Sequence, residues 1–441
     1  MSLKIRLIVM NFLQFAVWGA YLTSMSRYLG PVGLGSHIGL FYSVQGIVSI
    51  FMPAVMGIIA DRWVPAQKLL GACHLLAAFF MLTAGLYGLQ AGAAVSFPIL
   101  FTLYTLSVAF YMPTLALSNS VAYSILERGG MDTVRTFPSI RVFGTIGFIF
   151  TMWLVDIVGY QTSSLQFVVS AVIGLLLGVY AFTLPNCPIS TDTGDKTLFQ
   201  ALGLDAFKLF KQRKMALFFI FSMLLGVSLQ ITNGFANPFI ASFEAEPLFA
   251  DTFGVQHSNI LISLSQISEA LCILMIPFFL KRYGIKNVML IAMFAWVMRF
   301  GFFGLGNPGS GIWLLVFSMV VYGVAFDFFN VSGSLFVDKE TPHTIRASAQ
   351  GMFMLMTNGV GATIGTLGAQ WVVNQFTSWK DVVVDGQTKS LMTGDWQSVW
   401  FIFAGYALLV TILFAILFKY KHIRTYGNMN TPAVDQEIKK G

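Results

Sequence analysis

Two carboxylates stand where carboxylates are rarely tolerated. Glu269 and Asp327 each lie near the middle of an apolar run of about twenty residues, the length that crosses a bilayer. A charge at the centre of such a run costs roughly 2.5–3.5 kcal/mol to insert. Carboxylate side chains are too short to reach the polar boundary from there, and burial favours the neutral form of an acid. An acid that exists in either state is a natural proton carrier; the alternative is a buried carboxyl tied to a neighbouring helix. Polar side chains keep these acids company. Ser263, Gln266 and Glu269 recur every third residue and share a helix face. Tyr322 and Phe326 are one turn apart, and Asp327, Asn330 and Ser334 follow at i, i+3 and i+7. Gln230, Asn233 and Asn237 repeat that spacing. One such residue often serves as interhelical glue. Three stripes in one half of the chain point instead to a cavity of donors and acceptors for a neutral, hydroxyl-rich ligand. The first half offers Arg141, Thr145 and Phe148 at i, i+4 and i+7, with Gly144 and Gly147 permitting close helix approach. Gln14, Trp18 and Tyr21 form another stripe, either packing or a platform. Arg141 lies close enough to the start of its run for snorkelling to compete with a site role. Arg299 and Asp156 sit near the outer ends of theirs and are read as snorkelling.

The elements that carry these residues follow from composition. Of 441 residues, 56% are hydrophobic and 10% charged, whereas soluble domains carry about 25% charged residues. A soluble multidomain protein is excluded. Apolar runs predict twelve spans near 5–29, 38–60, 69–90, 96–122, 137–158, 164–184, 215–241, 258–280, 287–306, 311–337, 344–373 and 396–419. Lys4 and Arg6 precede the first, which is too long for a signal-peptide core and reads as an uncleaved span. Twenty-one Lys and Arg fall on the side of the even-numbered loops and the tails, against Arg27, Lys380 and Lys389 opposite. Both termini are therefore expected in the cytoplasm of a bacterial inner membrane protein. That bias accounts for the net charge of +7 without nucleic acid. Cys73, Cys187 and Cys272 fall in two spans and a cytoplasmic loop, so neither a disulfide nor a metal site is expected.

The longest cytoplasmic linker, 185–214, holds Pro185, Pro188, Gly194 and basic residues from Lys208 to Lys214. It divides the chain into bundles at 1–184 and 215–419, followed by a tail at 420–441. The halves repeat weakly: Met52-Pro53 leads to Asp61-Arg62 and Lys68, and Ile276-Pro277 to Lys281-Arg282 and Lys286. Two six-helix halves around a central loop are the arrangement of major facilitator superfamily transporters, an all-α membrane fold of twelve helices. The stretch from Gly57 to Arg62 resembles that superfamily's loop motif, with Val64-Pro65-Ala66 in place of the usual Gly-Arg-Lys.

The chain resembles the nucleoside:proton symporters of that superfamily across essentially all twelve spans. The likeness rests on Phe12-Leu13-Gln14-Phe15 and Trp18-Gly19, on Ile140-Arg141-Val142 with Gly144-Thr145-Ile146-Gly147-Phe148, and on Gln230 with Asn233, Gln266 with Glu269, and Tyr322 with Phe326-Asp327. The resemblance implies that Arg141, Thr145, Phe148, Gln230, Asn233, Gln266, Glu269, Tyr322, Phe326 and Asp327 contact a nucleoside. Gln14 and Trp18 join that list from their stripe. The chemistry agrees: aromatic rings stack on a base, carboxamides match base edges, and a carboxylate accepts from ribose hydroxyls. The expected function is nucleoside import (uridine, cytidine or adenosine) with protons carried by Asp327 or Glu269, by a monomer without cofactor. No phosphate-binding loop suggests ATP coupling, and no nucleophile or metal cluster suggests an enzyme. The Arg-x-x-Gly stretch at Arg141 also resembles the oligosaccharide:proton symporters, which keeps a sugar symporter open. A non-transporting sensor on the same fold is a further alternative, although the short tail offers no signalling domain.

Overall fold

The structure is a computed structural model that describes residues 2–189, 204–342, 345–384 and 386–420. The linker residues 190–203, with Gly194 and Lys196, and the tail 421–441, with Lys421, Arg424, Lys439 and Lys440, lie outside the described residues. The surroundings of the Asp61 side chain in the loop motif lie outside them too.

The first half consists of α1 (Leu3–Gly19), α2 (Met25–Leu29), α3 (Ile38–Arg62), α4 (Ala66–Ala91), α5 (Phe97–Arg128), α6 (Thr133–Ile157) and α7 (Leu165–Ala181). The second consists of α8 (Arg213–Leu229), α9 (Ile231–Ser242), α10 (Ser258–Leu305), α11 (Ile312–Glu340), α12 (Arg346–Met354), α13 (Ala362–Phe376) and α14 (Trp396–Leu417). Among the described residues, eight helical stretches are long and apolar enough to cross a membrane. Large apolar side chains such as Phe79, Val179, Leu274 and Ile416 remain open on the outer wall. A wall this apolar calls for lipid rather than water.

Small residues set the closest crossings. A Cβ on Gly147 would strike the Phe12 carbonyl, and one on Gly19 the Phe148 carbonyl, so α1 and α6 touch backbone to backbone. Thr151 Oγ1 then donates to Ala16 O across the crossing at 2.9 Å. The spacing of Gly144 and Gly147 thus does what the sequence suggested.

Several expected spans are interrupted. The first breaks between Gly19 and Met25, and the seventh breaks at Gln230, between α8 and α9. A π-helical turn, Leu355–Gly361, joins α12 to α13. Irregular backbone at membrane depth persists only where protein or a water-filled cavity satisfies it, so these breaks mark the inner wall. Conversely, the runs at 258–280 and 287–306 share the 48-residue α10. Gly284, at φ 76° and ψ 168°, turns the chain there.

The spans are helical, as expected of an all-α membrane fold, and one loop adds a short sheet. The loop between α13 and α14 is an antiparallel hairpin, β1 (Thr377–Val384) on β2 (Gln387–Gly394), in the register Thr377↔Gly394 through Val384↔Gln387. The physical reason is local. The β-branched run Val382-Val383-Val384 precedes an Asp-Gly pair, the strongest short hairpin signal, and Gly386 takes φ 73°.

Candidate functional site

Glu269 on α10 and Asp327 on α11 come from helices packed along their length. Asp327 is buried, and among the described residues its Oδ2 has no hydrogen-bond partner. Glu269 is partly open. The charges of the two acids act on each other, and Arg141 acts on both. Arg141 belongs to α6, so the cluster spans the two halves. The arginine sits about two turns inside α6, its guanidinium carbon 3.9 Å from the Phe15 ring centroid. It faces inward, which replaces the snorkelling reading.

The aromatic residues form two groups. Tyr322 and Phe326 are stacked, with centroids 5.7 Å apart and planes at 10°. Tyr322 also feels both acids electrostatically. In the first half, Trp18 packs edge-on against Phe148 at 6.2 Å, and among the described residues the buried Trp18 Nε1 has no acceptor. At the break between α8 and α9, Asn233 Nδ2 donates to Gln230 Oε1 at 2.8 Å, which leaves other donors and acceptors of this partly open pair free to turn to a ligand. Thr145 and Gln266 are partly open, one turn from Arg141 and Glu269 on the same helix faces.

Gln14 is placed elsewhere. It is fully buried, its Nε2 donates to Thr114 Oγ1 at 2.8 Å, and its Oε1 meets His74 Nε2 at 2.8 Å. Its amide is spent between α1, α4 and α5, so the structure does not present it to the cluster. Arg299 also departs from expectation. It is 2% exposed and held over Tyr322, its guanidinium carbon 4.5 Å from the ring centroid.

Sequence reasoning missed a polar seal at the end of the molecule opposite the N terminus. There Asp156 on α6 reaches the start of α10: its carboxylate accepts from Asn259 N at 2.9 Å and Ile260 N at 3.3 Å, and its Oδ1 meets His257 Nδ1 at 2.6 Å. Asp156 is 5% exposed, so it caps a helix of the other half and does not snorkel. Thr23 donates to Asn259, Asn237 donates to Gln161, and Trp153 Nε1 donates to Ser263 at 2.8 Å, all across the halves. Glu244 accepts from Arg27 at 2.9 Å and from Lys389 of β2 at 2.8 Å. The signal was present in the sequence, because Arg27 and Lys389 are two of only three cations expected on that side.

Helices broken at a polar centre, acids from one half facing a cation from the other, and a seal at one end define a membrane transporter. The chain belongs to the nucleoside H+ symporter family, whose model matches residues 1–423. It is 48% identical over 428 residues to the nucleoside permease NupG of Escherichia coli, covering 96% of this chain and 98% of that one. It is 47% identical over 426 residues to the xanthosine permease of Escherichia coli, covering 96% and 97%. A crystal structure of the nucleoside transporter NupG superposes with a TM-score of 0.85 at 46% identity, covering 96% of this chain and 100% of that one. The chain is thus a multi-pass, proton-coupled nucleoside transporter rather than an enzyme, and membership sets aside the sugar symporter and the non-transporting sensor.

Proposed function

We propose that the protein imports nucleosides such as uridine, cytidine and adenosine with protons across a bacterial inner membrane, as a monomer with both termini in the cytoplasm. Joining α1 with α2, α8 with α9 and α12 with α13, and dividing α10 at Gly284, gives twelve passes. They form bundles at 1–184 and 215–419, joined by the linker 185–214, with the tail at 420–441, and rock about a central site. The sealed end is then periplasmic, and the conformation faces inward.

In this reading Phe148, Tyr322, Phe326 and Trp18 hold the base. Gln230, Asn233 and Gln266 read its edges, while Arg141, Thr145 and Glu269 take the ribose. Asp327 carries the proton, with Glu269 as its electrostatic partner. The observation that carries this is the Asp327 Oδ2, buried at mid-helix without a partner among the described residues. An unsatisfied buried carboxylate oxygen is costly, and a bound proton or a ligand hydroxyl removes that cost.

The test is radiolabelled uridine uptake into proteoliposomes under an imposed proton gradient, with purine nucleosides, free bases and lactose as competitors. Asp327→Asn should abolish gradient-driven accumulation and retain some uridine exchange. Accumulation equal to the parent's would refute the role of Asp327, and flux of a sugar without flux of uridine would refute the substrate class.

A further inference from the structure

Arg299 is a cation without an acid beside it. Among the described residues its hydrogen bonds go to a carbonyl and a hydroxyl: Nη1 donates to Ser318 O at 2.7 Å and to Ser265 Oγ at 3.3 Å. Its Nε finds no acceptor. A buried charge compensated this thinly is a poor source of stability, and a well-packed apolar side chain of similar volume does as well or better. Its surroundings point to position instead. Ser265 precedes Gln266 by one residue and Glu269 by about one turn on the first part of α10. Ser318 stands one turn before Tyr322 on α11, and its hydroxyl returns a bond to Arg299 O at 2.9 Å. The guanidinium lies on the Tyr322 ring, and Trp296, one turn earlier on α10, meets the same ring edge-on at 5.9 Å.

We propose that Arg299 is a positioning residue for the nucleoside site. It fixes the tilt of the Tyr322 ring and the register of the two helices that carry Gln266, Glu269, Tyr322, Phe326 and Asp327. The cation sits behind the ring and touches no ligand; it holds the aromatic platform at a set distance from the acids. Planarity is the property that matters, because a guanidinium lies flat on a ring while its edge donates to nearby acceptors, whereas an ammonium is a compact, strongly hydrated point charge. This inference rests on the reading of Tyr322 as a ligand contact.

The test is uridine exchange in proteoliposomes, with half-saturation and maximal rate read separately. Arg299→Lys should raise half-saturation about tenfold, the loss of the flat guanidinium stack on the Tyr322 ring, while the maximal rate changes far less. In a Tyr322→Leu background the same substitution should add almost nothing, because the two residues act as a unit. Half-saturation within twofold of the parent, a fall in maximal rate alone, or full additivity in that background each overturns the inference. If Arg299→Lys does not survive size-exclusion chromatography, Ser265→Ala removes one anchor and keeps the charge. It should raise half-saturation about threefold, the loss of one weak hydrogen bond, and an unchanged value overturns the inference. If Tyr322→Leu alone binds uridine like the parent, the ligand-contact reading falls, and this inference with it. If Tyr322→Leu weakens binding and the Arg299 and Ser265 variants do not, only this inference falls.

Discussion

Removing the charge of Glu244 should open the sealed end. Its carboxylate is 6% exposed and holds two cations, Arg27 at 2.9 Å and Lys389 at 2.8 Å. Arg27 is 11% exposed, so in the closed state it depends on Glu244 for compensation. Opening that end returns Arg27 to water, where it needs no partner. Glu244→Gln keeps shape and one acceptor but leaves Arg27 uncompensated only when closed. Deleting one member of a buried pair costs roughly 3–5 kcal/mol. Lys389 is 35% exposed, and the glutamine oxygen still accepts, so about 2 kcal/mol is the reasonable share for the closed state. That amount multiplies the ratio of open to closed molecules about thirtyfold. The assay is the distance between spin labels at Val158→Cys and Leu248→Cys, exposed positions on opposite halves of the sealed end. The three native cysteines are buried, and burial pushes the Cys187 thiol up, which limits background labelling. Glu244→Gln should shift the distribution toward a longer separation, and Lys389→Gln by much less. A Glu244→Gln distribution that overlays the parent's would refute the argument that these pairs hold the end shut.

Three further outcomes follow from the same geometry. Asp156→Asn keeps an acceptor at the start of α10 but removes the charge from its positive end, so it should favour the open state by about 1 kcal/mol, read by the same labels. Trp379 lies against Gly30 and Gly35, where an added Cβ would overlap its ring; Trp379→Ala should release the hairpin from the turn after α2, cost about 2 kcal/mol and lower the midpoint of thermal unfolding. Gly147→Ala should push α1 from α6 and cost about 1–3 kcal/mol, again read as a lower midpoint, whereas Gly57→Ala, where an added Cβ meets nothing, should leave it unchanged.

The parts of the site that were legible in the sequence are those with a price in hydrocarbon. Glu269 and Asp327 stood out because an acid at mid-span must be explained, and period-three spacing put Gln266 on the face of Glu269. Direction around a helix is less legible. Gln14 and Trp18 are one turn apart, yet Trp18 meets Phe148 while Gln14 is turned to His74 and Thr114. Spacing says that two residues share a stripe and is silent on which neighbour each edge of that stripe meets. Depth is also poorly legible for long side chains. Arg299 and Asp156 were placed by distance from a span end, and both are buried because partners on other helices, Ser318 and Asn259, accept and donate there. The hairpin is written in the sequence as Val382-Val383-Val384 before Asp-Gly, a signal of alternation and turn chemistry that hydrophobic length does not register.

These misses share a physical cause that bears on mechanism. The legible residues are those whose cost is the same in every conformation, namely acids in hydrocarbon and cations at the membrane surface. The overlooked contacts are pairings across the halves, of Arg27 with Glu244 and of Asp156 with His257 and Asn259. Such contacts exist only while the halves meet at that end, and their partners lie 101 to 217 positions apart in the chain. A transporter must break them on every cycle, so they are individually modest and collectively reversible. Polar residues near span ends with no local partner are therefore where a membrane sequence hides the contacts between its halves, whereas a mid-span acid such as Asp327 stands in plain view.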